Sequence, residues 1–210
     1  MTQLSLPLGV PEGAGDGGFL VGESNARAVH QLEHWAAWPV MAALLTGPRK
    51  SGKSLLARIM TAKSGGTLID DADTKSETAL FHAWNAAQAD RRPLFLVASQ
   101  APPEWEVKLP DLRSRLAATP VLRIGPPDDA LAEALLAHLF ERHHLIAKPD
   151  LIGWLARRME RSHLAVIRIV DALEEDAHRR RSRRLSIPAA RATLARAGLL
   201  VEPTADTQEA

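Results

Sequence analysis

The chain has 210 residues with 46% hydrophobic content, enough to bury a real core in one domain or one and a half. Its 26 Lys and Arg balance 25 Asp and Glu to a net charge of +1, which argues against a protein that is wholly a nucleic-acid coat; the absence of cysteine excludes disulfides and thiolate metal sites. No basic leader precedes a long apolar run at the amino end, and the longest apolar stretches, Pro39–Leu45 and Leu94–Ala98, are too short to span a bilayer, so a soluble cytoplasmic protein with no membrane contact is expected.

Along the chain, residues 1–8 end in the apolar hexapeptide Gln3-Leu4-Ser5-Leu6-Pro7-Leu8, and residues 9–18 are rich in Gly, Pro and acids. That composition predicts a flexible linker, which would present the hexapeptide on a tether. The other reading of the hexapeptide is a strand docked on the domain. A helix is expected from Ser24 to Ala37 with Ser24 as its cap, then a buried strand over Val40–Leu45 and a helix over Leu55–Ala62. Thr67-Leu68-Ile69 reads as a short strand, Glu77–Ala89 as a helix, and Pro93–Ala98 and Pro120–Ile124 as strands. This alternation predicts an α/β unit over residues 19–127, a parallel sheet flanked by helices. From Asp128 to about residue 201 the pattern becomes all-helical, with leucines at helical spacing and Ser186 and Pro188 opening the last helix. Residues 202–210 are polar and read as a disordered tail.

Between the strand and the helix, Gly47-Pro48-Arg49-Lys50-Ser51-Gly52-Lys53-Ser54 completes the phosphate-loop pattern G-x-x-x-x-G-K-[ST]. Gly47 and Gly52 let backbone N–H groups approach phosphates, and the helix that follows adds its positive end. Lys53 is expected to reach the β- and γ-phosphates, and the Ser54 hydroxyl to complete a magnesium shell. Pro48, Lys50, Ser51 and Leu55, with Val21 upstream, are the further candidate nucleotide contacts. Leu68-Ile69-Asp70-Asp71 places carboxylates where a strand ends, the edge at which open α/β sheets bind ligands. Asp70 is the candidate for Mg2+ and Asp71 for positioning an attacking water; the same acids are also good turn chemistry.

Phe19-Leu20-Val21-Gly22-Glu23-Ser24-Asn25, the phosphate loop, Leu68-Ile69-Asp70-Asp71, Ser99-Gln100-Ala101-Pro102-Pro103 and Leu109-Pro110-Asp111-Leu112-Arg113-Ser114-Arg115-Leu116 follow one another as in the P-loop AAA+ core of the DnaA-related ATPases. The resemblance covers roughly residues 19–200. Gln3–Leu8, with no C-terminal DNA-binding domain, is similar to the Hda group of regulatory inactivators of DnaA within that family. The resemblance implies that Gln3, Leu4, Leu6, Pro7 and Leu8 dock on the DNA polymerase III β sliding clamp. It implies that Arg115 is an arginine finger acting on ATP held by DnaA, with Arg113 the competing candidate, and that the chain holds ADP or ATP with Mg2+.

Three departures bear on that reading. The stretch from the phosphate-loop helix to Asp70 leaves no room for an extra strand and helix, so either the sheet is one strand short, with four strands, or Thr67–Asp71 is a different strand from the one assigned. Leu164 stands where the family's lid carries a sensor arginine, with Arg161 and Arg168 nearby. Gln100 replaces the usual residue after Ser99, which favours nucleotide binding over rapid turnover. A small P-loop kinase and a DNA-acting helicase loader are the competing classes. Arg179, Arg180, Arg181, Arg183 and Arg184 form a basic cluster able to touch DNA phosphates, though a solvated helix end explains it as well. A homo-oligomer is also compatible with the sequence.

Overall fold

Ala42–Thr46 carries no charge, and every one of its residues is buried. Such a strand needs ladder partners on both edges and helices on both faces. The computed structural model, which describes residues 5–8 and 18–201, supplies both. In chain order the elements are β1 (Ser5–Leu8), β2 (Phe19–Val21), α1 (Glu23–Glu33), β3 (Ala42–Thr46), α2 (Lys53–Ser64), β4 (Thr67–Ile69), α3 (Glu77–Asp90), β5 (Leu94–Val97), α4 (Pro110–Ala118) and β6 (Val121–Arg123). β3 pairs in parallel with β5 on one side and β6 on the other, and β4 joins β5 in parallel, giving the order β4-β5-β3-β6.

Side chains alternate across this sheet as its pleat requires. Ala43, Leu45, Phe95, Val97 and Leu122 pack with α1 and α2 through Leu32, Leu56, Ile59 and Met60. Ala42, Leu44, Leu94 and Leu96 pack with α3 and α4 through Leu80, Leu112 and Leu116. The helix carrying the phosphate-loop lysine and the helix carrying Arg115 therefore lie on opposite faces of the sheet. Four parallel strands fit the short passage from α2 to β4: α2 ends at Ser64, Gly65 adopts φ +66°, and β4 begins at Thr67.

Local chemistry moves several boundaries from their expected places. α1 starts one residue before Ser24, capped by Gly22, because the Asn25 side chain accepts the Gly22 N–H (2.9 Å) and donates to the Leu20 carbonyl (2.9 Å). It stops at Glu33, and Trp35–Ala37 form a separate 3-10 turn. α4 has only Leu112 and Leu116 as buried residues, one turn apart, and so gives almost no periodic signal; Pro110 opens it. Ser5–Leu8 pairs antiparallel with β2, Ser5 opposite Val21 and Leu8 opposite Phe19, the docked-strand alternative for the hexapeptide. Gln3 and Leu4, the 9–17 part of the expected linker and the 202–210 tail lie outside the described residues.

A first compact unit ends at Pro126 and a second begins at Pro127. The second is helical: α5 (Asp129–Arg142), α6 (Pro149–Ala156), α7 (His163–Arg179) and α8 (Ile187–Arg196). Asp128 caps α5 by accepting from the Leu131 N–H (2.8 Å), and Ser162 caps α7 through Ala165 (3.1 Å). Leu136, Phe140, Leu155, Ile169, Leu173 and Leu194 fill its core, joined by Met159 from beyond the end of α6. Among the described residues no helix is long and apolar enough to cross a membrane.

Two hydrogen bonds to a carboxylate tie α3 to the loop before α4. The Glu77 carboxylate accepts the backbone N–H groups of Lys108 and Leu109, which hold its pKa below the ordinary glutamate value. Because the folded-state value is depressed, the stabilisation is present above the unfolded glutamate range and disappears as pH falls through the folded value. Thermal melts of wild type and Glu77→Gln should therefore differ at neutral pH and converge on acidification; a gap that stays constant with pH would contradict this role.

Candidate functional site

The phosphate loop spans the end of β3 and the start of α2 at the carboxyl edge of the sheet. Its glycines are dictated by geometry. Gly47 has φ +149°, and a Cβ there would stand 2.5 Å from the Ile124 carbonyl oxygen; Gly52 has φ +81°, and a Cβ there would stand 2.9 Å from the Phe19 ring. Lys50 also takes positive φ, at 65°, which curls the loop. The Lys53 ammonium donates to the carbonyls of Gly47 (2.7 Å) and Pro48 (2.8 Å), crossing the mouth of the loop it belongs to. Burial pushes its pKa down, opposed by the charges of Asp70, Asp73 and Asp71 in that order. Ser51 is buried, and its hydroxyl has no hydrogen-bond partner among the described residues. Of the flanking candidates, Val21 is buried in the core on the α1 and α2 face, and Leu55 packs against that core half-buried.

β4 brings a carboxylate to the same edge. The Ser54 hydroxyl donates to Asp70 Oδ1 at 3.0 Å, so these two candidate metal ligands are adjacent. A hydroxyl and a carboxylate at this spacing are hard oxygen donors of the kind Mg2+ takes, while the curled loop and Lys53 suit phosphate oxygens. Asp71 is placed differently from Asp70. It sits in the left-handed region at φ 50°, is exposed, and donates its N–H to Asp70 Oδ1 (3.1 Å) while its carbonyl accepts from Thr74. The residue that sequence reasoning missed is Asp73, whose Oδ2 accepts the Ser99 N–H at 2.9 Å and thereby joins the turn after β4 to the loop after β5. Its signal in the sequence, a third acid in Asp-Asp-Ala-Asp, is indistinguishable from turn chemistry. A cavity of about 220 Å³ beside Gly47 is lined by Thr46, Ser99, Gln100, Glu104 and Arg123, and the buried Thr46 hydroxyl has no partner among the described residues.

Arg115 lies in the last turn of α4, on the opposite sheet face from α2. Its guanidinium stacks over Phe81 (4.3 Å to the ring centroid) and Trp84 (5.4 Å), donates through Nε to Asn85 Oδ1 (2.9 Å) and through Nη1 to the Asp111 carbonyl (3.1 Å). Arg113 is bound elsewhere, donating twice to the Val107 carbonyl (3.0 and 2.7 Å).

In the helical unit, Leu164 is half-buried on α7, Arg161 pairs with Asp129 (3.0 Å), and Arg168 is exposed. Within the basic cluster, Arg179 and Arg180 pair with the buried Asp176 (3.7 and 2.6 Å), and Arg183 donates to the His143 carbonyl (2.7 Å). Part of the cluster's charge is thus used to close α7. His30 and His34 stack at 4.2 Å, and no group of three metal-ligating side chains occurs among the described residues.

Two ring contacts and two hydrogen bonds make Arg115 a packing residue of the α3–α4 layer. Arg115→Ala should lower unfolding stability by about 1–2 kcal/mol in chemical denaturation. An unchanged midpoint would mean that the guanidinium does not rest on α3.

No protein-family model matches the sequence. The fold has counterparts among solved structures. Domain III of the Thermotoga maritima replication initiation protein DnaA is similar with a TM-score of 0.69 and 16% identity, over 84% of this chain and 93% of that one. The Thermotoga maritima RuvB Holliday junction branch migration motor is similar with a TM-score of 0.63 and 16% identity, over 83% of this chain and 69% of that one. A replication initiator DnaA bound to AMPPCP and single-stranded DNA is similar with a TM-score of 0.58 and 15% identity, over 77% and 66%. The chain has the P-loop AAA+ fold, a parallel sheet flanked by helices and followed by a helical unit.

Proposed function

We propose that this chain is a regulatory nucleotide-binding AAA+ protein that docks on the DNA polymerase sliding clamp through Gln3–Leu8 and stimulates hydrolysis of ATP held by DnaA. Its own site takes ADP or ATP with Mg2+. The backbone around Gly47 and Gly52 cradles the phosphates, Lys53 exchanges its two loop carbonyls for phosphate oxygens, and Ser54 and Asp70 hold the metal. A bound magnesium nucleotide would supply charge that orders the loops after β3, β4 and β5. This role for the chain's own nucleotide asks nothing of Asp71 in positioning an attacking water.

The observation that carries the trans-acting part of this reading is the placement of Arg115. α4 runs into the amino end of β6, whereas Lys53 opens at the carboxyl ends of the strands and packs its helix on the other face. An arginine there is poorly placed to serve its own phosphates and better placed to serve a neighbour's. Fingers of this kind contribute roughly 10³–10⁵ in rate by stabilising charge on the transferring phosphoryl group. In the isolated chain Phe81, Trp84 and Asn85 hold the guanidinium, so the partner either meets it on that platform or draws it off.

Docking on the clamp asks a second exchange. Ser5–Leu8 is paired with β2, and a two-stranded ladder is marginally stable in water on its own. An apolar groove on a clamp can compete for such a segment, and two grooves on one dimeric clamp would add avidity.

The test is the rate at which DnaA-bound ATP becomes ADP with this protein and DNA-loaded clamp present. Wild type should accelerate it, while Arg115→Ala and a variant lacking residues 3–8 should each lose at least about tenfold of that acceleration and remain folded. No acceleration by wild type, or full acceleration by both variants, contradicts the proposal.

A further inference from the structure

The sheet order places three loops side by side. β5 lies between β3 and β4; Ala98 N–H donates to the Leu45 carbonyl (3.1 Å), and Ile69 stands opposite Leu96. Ser99, the next residue along, is therefore set between the first glycine of the phosphate loop and the acids that follow β4. With Gln100 it forms one wall of the cavity beside Gly47. The strand ends at Val97, and the buried Ala98 and Ala101 anchor the wall at its two ends while Ser99 and Gln100 between them are exposed. What fixes it from the side of β4 is Asp73, through the 2.9 Å hydrogen bond to the Ser99 N–H.

Asp73 stands in a 3-10 turn, Ala72–Thr74, that opens on the left-handed Asp71. Ala72 is fully buried and packs with Leu44 and Leu96, so the turn is anchored to the sheet. The carboxylate is thus held on a rigid support and reaches across to the two exposed residues between the buried Ala98 and Ala101.

We infer that Asp73 is a positioning residue of the nucleotide site, which holds the Ser99–Gln100 wall where the terminal phosphate of a nucleoside triphosphate meets it. The inference rests on the nucleotide-binding part of the proposed function. A diphosphate, lacking the terminal group, depends on the phosphate loop and Lys53 but not on this wall. Asp73 therefore tunes the choice between triphosphate and diphosphate rather than binding as such.

The experiment compares the affinities of AMPPCP and ADP, each with Mg2+, for the full chain and its Asp73→Ala, Asp73→Asn and Lys53→Ala variants, with a thermal melt of each. Asp73→Ala should weaken AMPPCP by about tenfold and leave ADP within about twofold, while Asp73→Asn, whose side-chain oxygen still accepts the Ser99 N–H, should stay within about threefold of wild type for both. An unchanged affinity ratio in Asp73→Ala overturns the inference, as does a parallel loss of both nucleotides with a lowered melting temperature. Equal loss in the Ala and Asn variants overturns it too, since charge rather than the hydrogen bond would then be the cause. Unimpaired binding of both nucleotides by Lys53→Ala would instead overturn the nucleotide reading on which the inference stands.

Discussion

Everything in the first unit depends on the burial of β3 from both faces and both edges. Five small or apolar residues at the centre of a parallel sheet leave its polar backbone no partner but neighbouring strands, and its side chains no surroundings but helices. The chain must then leave β3 at the carboxyl edge and enter α2 at once, and only the glycines at 47 and 52 allow that path against Ile124 and Phe19. The phosphate loop is the consequence of a strand that cannot be exposed. The positive end of α2 and Lys53 are delivered to one spot by the same constraint.

The sheet also separates two chemistries. Lys53, Ser54 and Asp70 gather at the carboxyl edge, with α2 on one face, while Arg115 is carried by a helix packed on the other. A protein built this way can hold a nucleotide in one place and offer an arginine in another. Phe81 and Trp84 give the half-buried Arg115 cation an aromatic resting surface, and Asn85 fixes its direction. The helical unit closes in a comparable way around Asp176, which gathers Arg179, Arg180 and Arg196 at the end of α7.

Much of this was legible from residues alone, and the reasons differ from element to element. β3 and β5 announce themselves because strands buried on both faces are written as uninterrupted apolar runs. The phosphate loop is legible because its glycines, lysine and serine are each required by a separate contact. Counting residues between Ser64 and Asp70 left two readings, a four-stranded sheet or a different strand at Thr67–Asp71, and the pairing of β4 with β5 decides for four strands. α4 was hidden, since two leucines one turn apart make no pattern, and the start of α1 was misplaced because the Asn25 side chain, rather than Ser24, organises the cap. Asp73 was overlooked for a subtler reason: its partner is a backbone N–H 26 residues away, and no spacing in the sequence encodes that meeting. The ladder between Ser5–Leu8 and β2 was one of two readings the hexapeptide allowed, and composition has no means of choosing between a docked strand and a tethered peptide.

On the proposed reading, the edge formed by β3, β4 and the start of α2 is a magnesium nucleotide site. Calorimetric titration of the full chain with ADP, in Mg2+ and in EDTA, for wild type and Asp70→Asn, tests it most directly. Wild type should bind saturably and more tightly with Mg2+, and Asp70→Asn should still bind without metal but gain nothing from it. Absence of saturable binding, or a gain from Mg2+ that survives undiminished in Asp70→Asn, would contradict it.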